Sequence, residues 1–110
     1  MDPLRSQRCT PQPAGTPALA GGELHSLLPQ TPAWQVTTDG KALTREFRFK
    51  NYYETIAFVN ALAWIAHRQD HHPDLEVHYN RCLVRFSTHS VGGLSRNDFI
   101  CAARIDALLE

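Results

Sequence analysis

The chain has 110 residues, 43% of them hydrophobic and 20% charged, which is enough for one domain with one modest core. Eleven basic residues balance eleven acidic ones, so the formal net charge is zero and offers no electrostatic footprint for nucleic acid or a membrane surface. No apolar run approaches the roughly 20 residues of a membrane span. Three cysteines, Cys9, Cys82 and Cys101, without a C-x-x-C spacing argue against a disulfide framework and a zinc knuckle, and read as free thiols of a reducing compartment, the cytoplasm.

Residues 1–22 differ in kind from the rest. They hold four of the seven prolines and three of the six glycines, and such a composition buries too little apolar surface to offset ordering entropy. The segment is expected to be a disordered tail. Arg5 and Arg8 with little acid give it a faint organelle-targeting character, but a plain tail is the favoured reading. The domain is therefore assigned to residues 23–110.

Glu23–Leu28 predicts a short amphipathic helix before Pro29. Trp34 and Val36 alternate with polar neighbours, and Asp39-Gly40 signals a hairpin turn that needs positive φ. Leu43, Arg45, Phe47 and Phe49 alternate with Thr44, Glu46 and Arg48, giving a second strand with its aromatic face inward. Asn51 caps the next helix, with Glu54 at the capping-box position. That helix is expected from Tyr52 to about Arg68, with Tyr52, Ile56, Val59, Leu62, Ala63 and Ala66 as its main apolar stripe. Ala57, Ala61 and Trp64 fall on the other side, where either local packing or a second subunit covers them.

Pro73 stops any helical continuation and pushes His72 toward extended geometry. Leu75, Val77 and Tyr79 form a third strand, Asn80-Arg81 a turn, and Cys82, Val84 and Phe86 the inward face of a fourth strand. Ser95 caps the last helix, with Asp98 three residues on, and Cys101, Ala102, Ile105, Leu108 and Leu109 form its apolar stripe. The resulting order is α-β-β-α-β-β-α. It specifies an α+β fold, a four-stranded antiparallel sheet with helices packed on one face.

The residues that an ordinary small core would not want are His71, His72, His89 and Asp98. Imidazoles titrate near neutral pH, and several around one pocket, with an acid to orient one, make a general acid–base kit. Taken singly, each has a plainer reading: His71-His72 as a solvated loop pair, His89 as a strand-end histidine, Asp98 as a helix cap. A zinc or iron site is disfavoured because neither H-x-H nor H-E-x-x-H occurs. No cysteine is set beside a histidine in sequence, which weakens nucleophilic catalysis.

Together these residues resemble the pterin-4a-carbinolamine dehydratase family, known in animals also as the dimerisation cofactor of a homeodomain transcription factor. The resemblance runs through His67-x3-His71-His72-Pro73-x5-Tyr79-x9-His89-x8-Asp98. It extends to Ser87-Thr88-His89, to Gly92-Gly93-Leu94-Ser95 and, upstream, to Trp34 and Phe47-x-Phe49, covering roughly residues 23–109. It implies dehydration of 4a-hydroxytetrahydrobiopterin to quinonoid dihydropterin in tetrahydrobiopterin recycling, without metal or organic cofactor. It also implies a homodimer or homotetramer, and coupling to an aromatic amino acid hydroxylase that forms the substrate. His71 and His89 would transfer protons and His72 would hold the pterin. Asp98 would orient an imidazole, and Asp70, Pro73, Ser87 and Thr88 would line the substrate. One position departs from the family pattern: His67 stands where an acid is usual, which leaves Asp70 as the local acid for His71. The alternative is a non-catalytic assembly or coactivator module on the same fold.

Overall fold

The computed structural model describes residues 3–110, so Met1 and Asp2 of the expected tail lie outside the described residues. The elements are α1 (Gly21–Leu27), β1 (Gln35–Val36), β2 (Leu43–Arg48), α2 (Tyr52–Gln69), β3 (Asp74–Val77), β4 (Arg81–Phe86) and α3 (Arg96–Asp106), with 3₁₀ turns between and beyond them. The four strands form one antiparallel sheet in the order β1-β2-β4-β3, with the helices on one face. Among the described residues no helix is long and apolar enough to cross a membrane.

The register explains the core. Leu43 pairs with Phe86 and Phe47 with Cys82, so one face of the β2–β4 ladder buries Leu43, Phe47, Cys82, Val84 and Phe86, with Arg45 among them. Trp34 sits edge-on to Phe47 at 5.9 Å, and Phe58 of α2 closes on Phe47 at 4.6 Å. The opposite face carries Glu46 between Arg48 and Arg81, at 2.9 and 3.1 Å, and stays hydrated. Arg45 faces the core side yet remains satisfied. Its guanidinium lies over the Phe47 ring and pairs at 2.6 Å with Asp106, which also accepts the Trp34 indole N–H. In the β1–β2 hairpin Gly40 has φ +75°, the left-handed geometry expected of Asp39-Gly40.

Helix α2 is capped by Asn51 as expected, its side chain accepting from the Glu54 amide at 2.9 Å. The Glu54 carboxylate accepts instead from the Lys50 amide at 3.2 Å and does not close a capping box on Asn51. Asn51→Ala should cost about 1 kcal/mol in urea unfolding, and Asn51→Ser should recover most of it. The buried stripe, however, is rotated from the expected one. Thr55, Phe58, Leu62 and Ala66 are buried, while Tyr52 and Ala63 are exposed. Thr55 can occupy a core position because its hydroxyl bonds the carbonyls of Asn51 and Tyr79, at 2.9 and 3.0 Å. The outer face keeps Tyr53 and Trp64 exposed, at 80% and 61%.

The helix stops at Asp70, before Pro73. Asp70 adopts φ 51°, and the His71 amide returns to the Ala66 carbonyl. The β3–β4 turn is centred on Tyr79-Asn80, one residue earlier than expected, because His78 donates to the Arg81 carbonyl. Leu108 and Leu109 lie beyond α3 in a 3₁₀ turn and are exposed, outside the stripe assigned to them.

Residues 3–20 depart most from expectation. Composition marks them as most of a disordered tail, yet they lie against the body, and α1 begins at Gly21 rather than Glu23. Leu4 is buried in the core cluster. Asn97 clamps Thr10 from both sides, accepting its N–H at 3.0 Å and donating to its carbonyl at 2.7 Å. The Cys9 amide donates to Gln69 at 2.9 Å, the Arg104 guanidinium to the Gln7 carbonyl, and Leu19 pairs through its amide with the Leu94 carbonyl. Side chains from α2 and α3 thus give this segment the backbone partners that its own sequence does not provide.

Candidate active site

The site is built where α2 ends, β4 ends and α3 begins. The left-handed Asp70 turns the chain so that His71 comes back over the sheet. There its ring stacks on Phe86, with centroids 5.8 Å apart and planes 10° from parallel. Its Nε2 lies 2.6 Å from Oδ1 of Asp98.

Asp98 is fully buried at the third position of α3. Its Oδ2 accepts from the Thr88 hydroxyl at 2.8 Å and from the Ser95 amide at 2.9 Å, the latter closing the capping box. Because Thr88 gives its proton to Asp98, the 2.7 Å contact between Thr88 and Ser95 must use the Ser95 proton, while Ser95 Oγ accepts from the Asn97 amide. Asp98 as a carboxylate offers only acceptors. His71 Nε2 must therefore carry a proton, and Nδ1 becomes the nitrogen that gains or gives up the second one.

Burial of the imidazole opposes its charge, but the Asp98 hydrogen bond and negative charge outweigh it. Asp70 adds a smaller pull in the same direction, and the net effect raises the His71 pKa above its ordinary value. His67 is exposed and stacks on Trp64 at 5.3 Å.

Two clefts of about 360 Å³ each meet at Asp70 and His71. One is walled by residues 9–12 and includes Gln69, Thr88 and Asn97. The other runs between the end of α2 and His72, Pro73 and Leu75. The volumes lie in the range of small-molecule sites.

The structure thus gathers His71, Asp98 and Thr88 into one hydrogen-bonded unit, with Asp70 beside it. His72 and Pro73 line the second cleft, and His72 is exposed. Ser87 is half-buried, and His89 is exposed in the 3₁₀ turn His89–Val91; neither bonds Asp98. Sequence reasoning missed Ser95 beyond its capping role, Asn97, Gln69 and the wall made by residues 9–12. For Ser95 the signal was present, since a capping box ties Ser95 and Asp98 together. For the wall there was none, because its contacts span 60 and 87 positions of sequence. Among the described residues no group of three His, Cys, Asp or Glu side chains is arranged to hold a metal ion.

Residues 17–108 match the sequence profile of the family described as pterin 4 alpha carbinolamine dehydratase. A protein of Stenotrophomonas maltophilia strain K279a, provisionally named pterin-4-alpha-carbinolamine dehydratase, is 62% identical over 108 residues, covering 98% of this chain and 93% of its own length. One from Xanthomonas campestris pv. campestris strain 8004, with the same provisional name, is 57% identical over 108 residues, covering 98% of this chain and 92% of its own length. Among solved structures, a transcriptional coactivator/pterin dehydratase from Brucella melitensis superposes with a TM-score of 0.80 at 31% identity, over 84% of this chain and 99% of that one. A pterin dehydratase-like protein described as a RuBisCO assembly factor in the alpha-carboxysome superposes with a TM-score of 0.61 at 25% identity, over 69% of this chain and 88% of that one. With a family match over residues 17–108 and a relative 62% identical covered over 93% of its length, the chain belongs to the pterin 4 alpha carbinolamine dehydratase family.

Proposed function

We propose that this protein dehydrates 4a-hydroxytetrahydrobiopterin to quinonoid dihydropterin, serving tetrahydrobiopterin recycling, by histidine acid–base catalysis. The observation that carries the reading is the His71–Asp98–Thr88 unit at the junction of two clefts. The chemistry needs two proton movements. The C4a–O bond breaks as the hydroxyl takes a proton and leaves as water; the N5 proton is lost as the C4a=N5 double bond forms. Asp98 favours the charged form of His71, which can give a proton to the leaving hydroxyl, and the neutral form left behind can take one up.

We assign His71 and His89 to proton transfer, His72 to holding the pterin, and Asp98 to orienting His71. Asp70, Pro73, Ser87 and Thr88 belong to the substrate surroundings. The substrate would come from an aromatic amino acid hydroxylase. Assembly as a dimer or tetramer is part of the same proposal, supported by the exposed Tyr53 and Trp64 on α2.

The test is to generate the carbinolamine in place with an aromatic amino acid hydroxylase and follow its loss. The protein should accelerate that loss well above buffer, and protein treated with a metal chelator and then freed of it should act at the same rate. A rate no faster than buffer would select the second reading, a partner-binding module. That reading draws on the same exposed α2 face and on the likeness to an assembly factor.

A further inference from the structure

Two thiols separated by 92 positions of sequence meet beside the site. Cys9 Sγ lies 3.5 Å from Cys101 Sγ. Cys101 is fully buried on α3 with its sulfur 3.9 Å from the His71 carbonyl, whereas Cys9 is half-buried and lines the cleft that His71 shares. The two sulfurs differ in character as well as in access. The hydrogen bond from Cys101 holds the Cys9 thiol below its ordinary pKa, against the effect of burial and with help from His71; Cys101 is pushed up in turn. A cleft-facing thiol in contact with a buried partner thiol is the arrangement of an attacking and a resolving cysteine.

We propose that Cys9 and Cys101 form a disulfide when the protein meets a peroxide, and that this bond fastens residues 3–12 to α3 as a fixed wall of the cleft. The Cys9 thiolate attacks one peroxide oxygen; an S–O bond forms, the O–O bond breaks, and the departing hydroxide takes a proton to become water. Cys101 sulfur then attacks the Cys9 sulfenic sulfur. The S–S bond forms, the S–O bond breaks, and the leaving hydroxide takes the Cys101 proton as a second water. Two thiols are oxidised by two electrons and one hydrogen peroxide is reduced to two waters. The sulfurs must approach by about 1.5 Å to reach disulfide length. Cys101 is held in the core helix, while Cys9 lies in a segment without helix or strand, so the movement falls on Cys9.

The test uses the full-length reduced protein and hydrogen peroxide. Free thiols, counted after denaturation without reductant, should fall from three to one, with peptide mapping joining Cys9 to Cys101 and leaving Cys82 free. Amide hydrogen exchange across residues 3–12 should slow at least about tenfold and return on adding dithiothreitol. Cys9→Ser and Cys101→Ser should each abolish both changes, and Cys9→Ser suffices if the buried substitution prevents folding. Three thiols left intact, a sulfinic acid at Cys9 with Cys101 still reduced, or linkage only between chains would each overturn the proposal.

Discussion

Replacing His71 with alanine should lower kcat/KM for the carbinolamine by ~10²–10⁴, the range expected when one positioned proton-transfer group is removed. The loss should fall mainly on kcat, because the ring lies between two clefts whose other lining residues remain. The fold should survive. Asp98 keeps its bonds from Thr88 and the Ser95 amide, and the space over Phe86 opens toward a cleft that water can enter. Partial recovery of the rate on adding free imidazole would identify the missing function as proton transfer. An unchanged kcat in His71→Ala would remove His71 from the mechanism and shift the role to His72 or His89.

Asp98→Ala should be the most damaging single change to stability. It leaves the His71 Nε2–H, the Thr88 hydroxyl and the Ser95 amide without their acceptor in a fully buried place. Losing one partner from a buried charged network costs about 3–5 kcal/mol, a large share of a small domain's total. Asp98→Asn keeps the volume and part of the acceptor capacity, so it should fold and isolate the charge. In wild type the folded-state pKa of His71 is raised. The His71–Asp98 attraction is therefore present in full below the unfolded histidine's pKa, near 6.5, and fades as pH rises through the folded value. In Asp98→Asn burial of His71 is opposed only by the smaller pulls of Cys9 and Asp70, so the upward shift should be lost or reversed. Urea unfolding at pH 5.5 and 8.5 should thus show a larger wild-type advantage at the lower pH. An equal advantage at both would mean that His71 is neutral throughout.

The sheet and the two long helices were legible because their periodicities are local. Cys82, Val84 and Phe86 alternate on β4, and Asn51 and Ser95 mark helix starts with side chains that bond within three residues. The α2 stripe was misaligned because hydrophobicity alone ranks Tyr52 and Ala63 above Thr55. A threonine whose hydroxyl finds two carbonyls, one of them 24 residues away, can take the core position instead. The N-terminal segment was unreadable for a related reason. Proline and glycine content describes what a segment can do alone, and this one is ordered by Asn97, Gln69 and Arg104 from elsewhere. For the site, Asp98 on the buried side of its helix was visible, and the family pattern picked out His71. That His72 and His89 stand apart from the Asp98 unit depends on the left-handed turn at Asp70 and on the 3₁₀ turn after Thr88, and neither leaves a periodic trace.

The double use of Asp98, as third residue of a capping box and as partner of His71, bears on how such sequences diverge. A lineage released from selection for catalysis remains under selection to start α3, and that requirement holds Ser95, Asp98 and Thr88 in place. His71 has no comparable anchor, because its removal leaves the cap closed. An intact aspartate is therefore needed to start α3 whether or not the site is active. The histidine is the position at which the two should part.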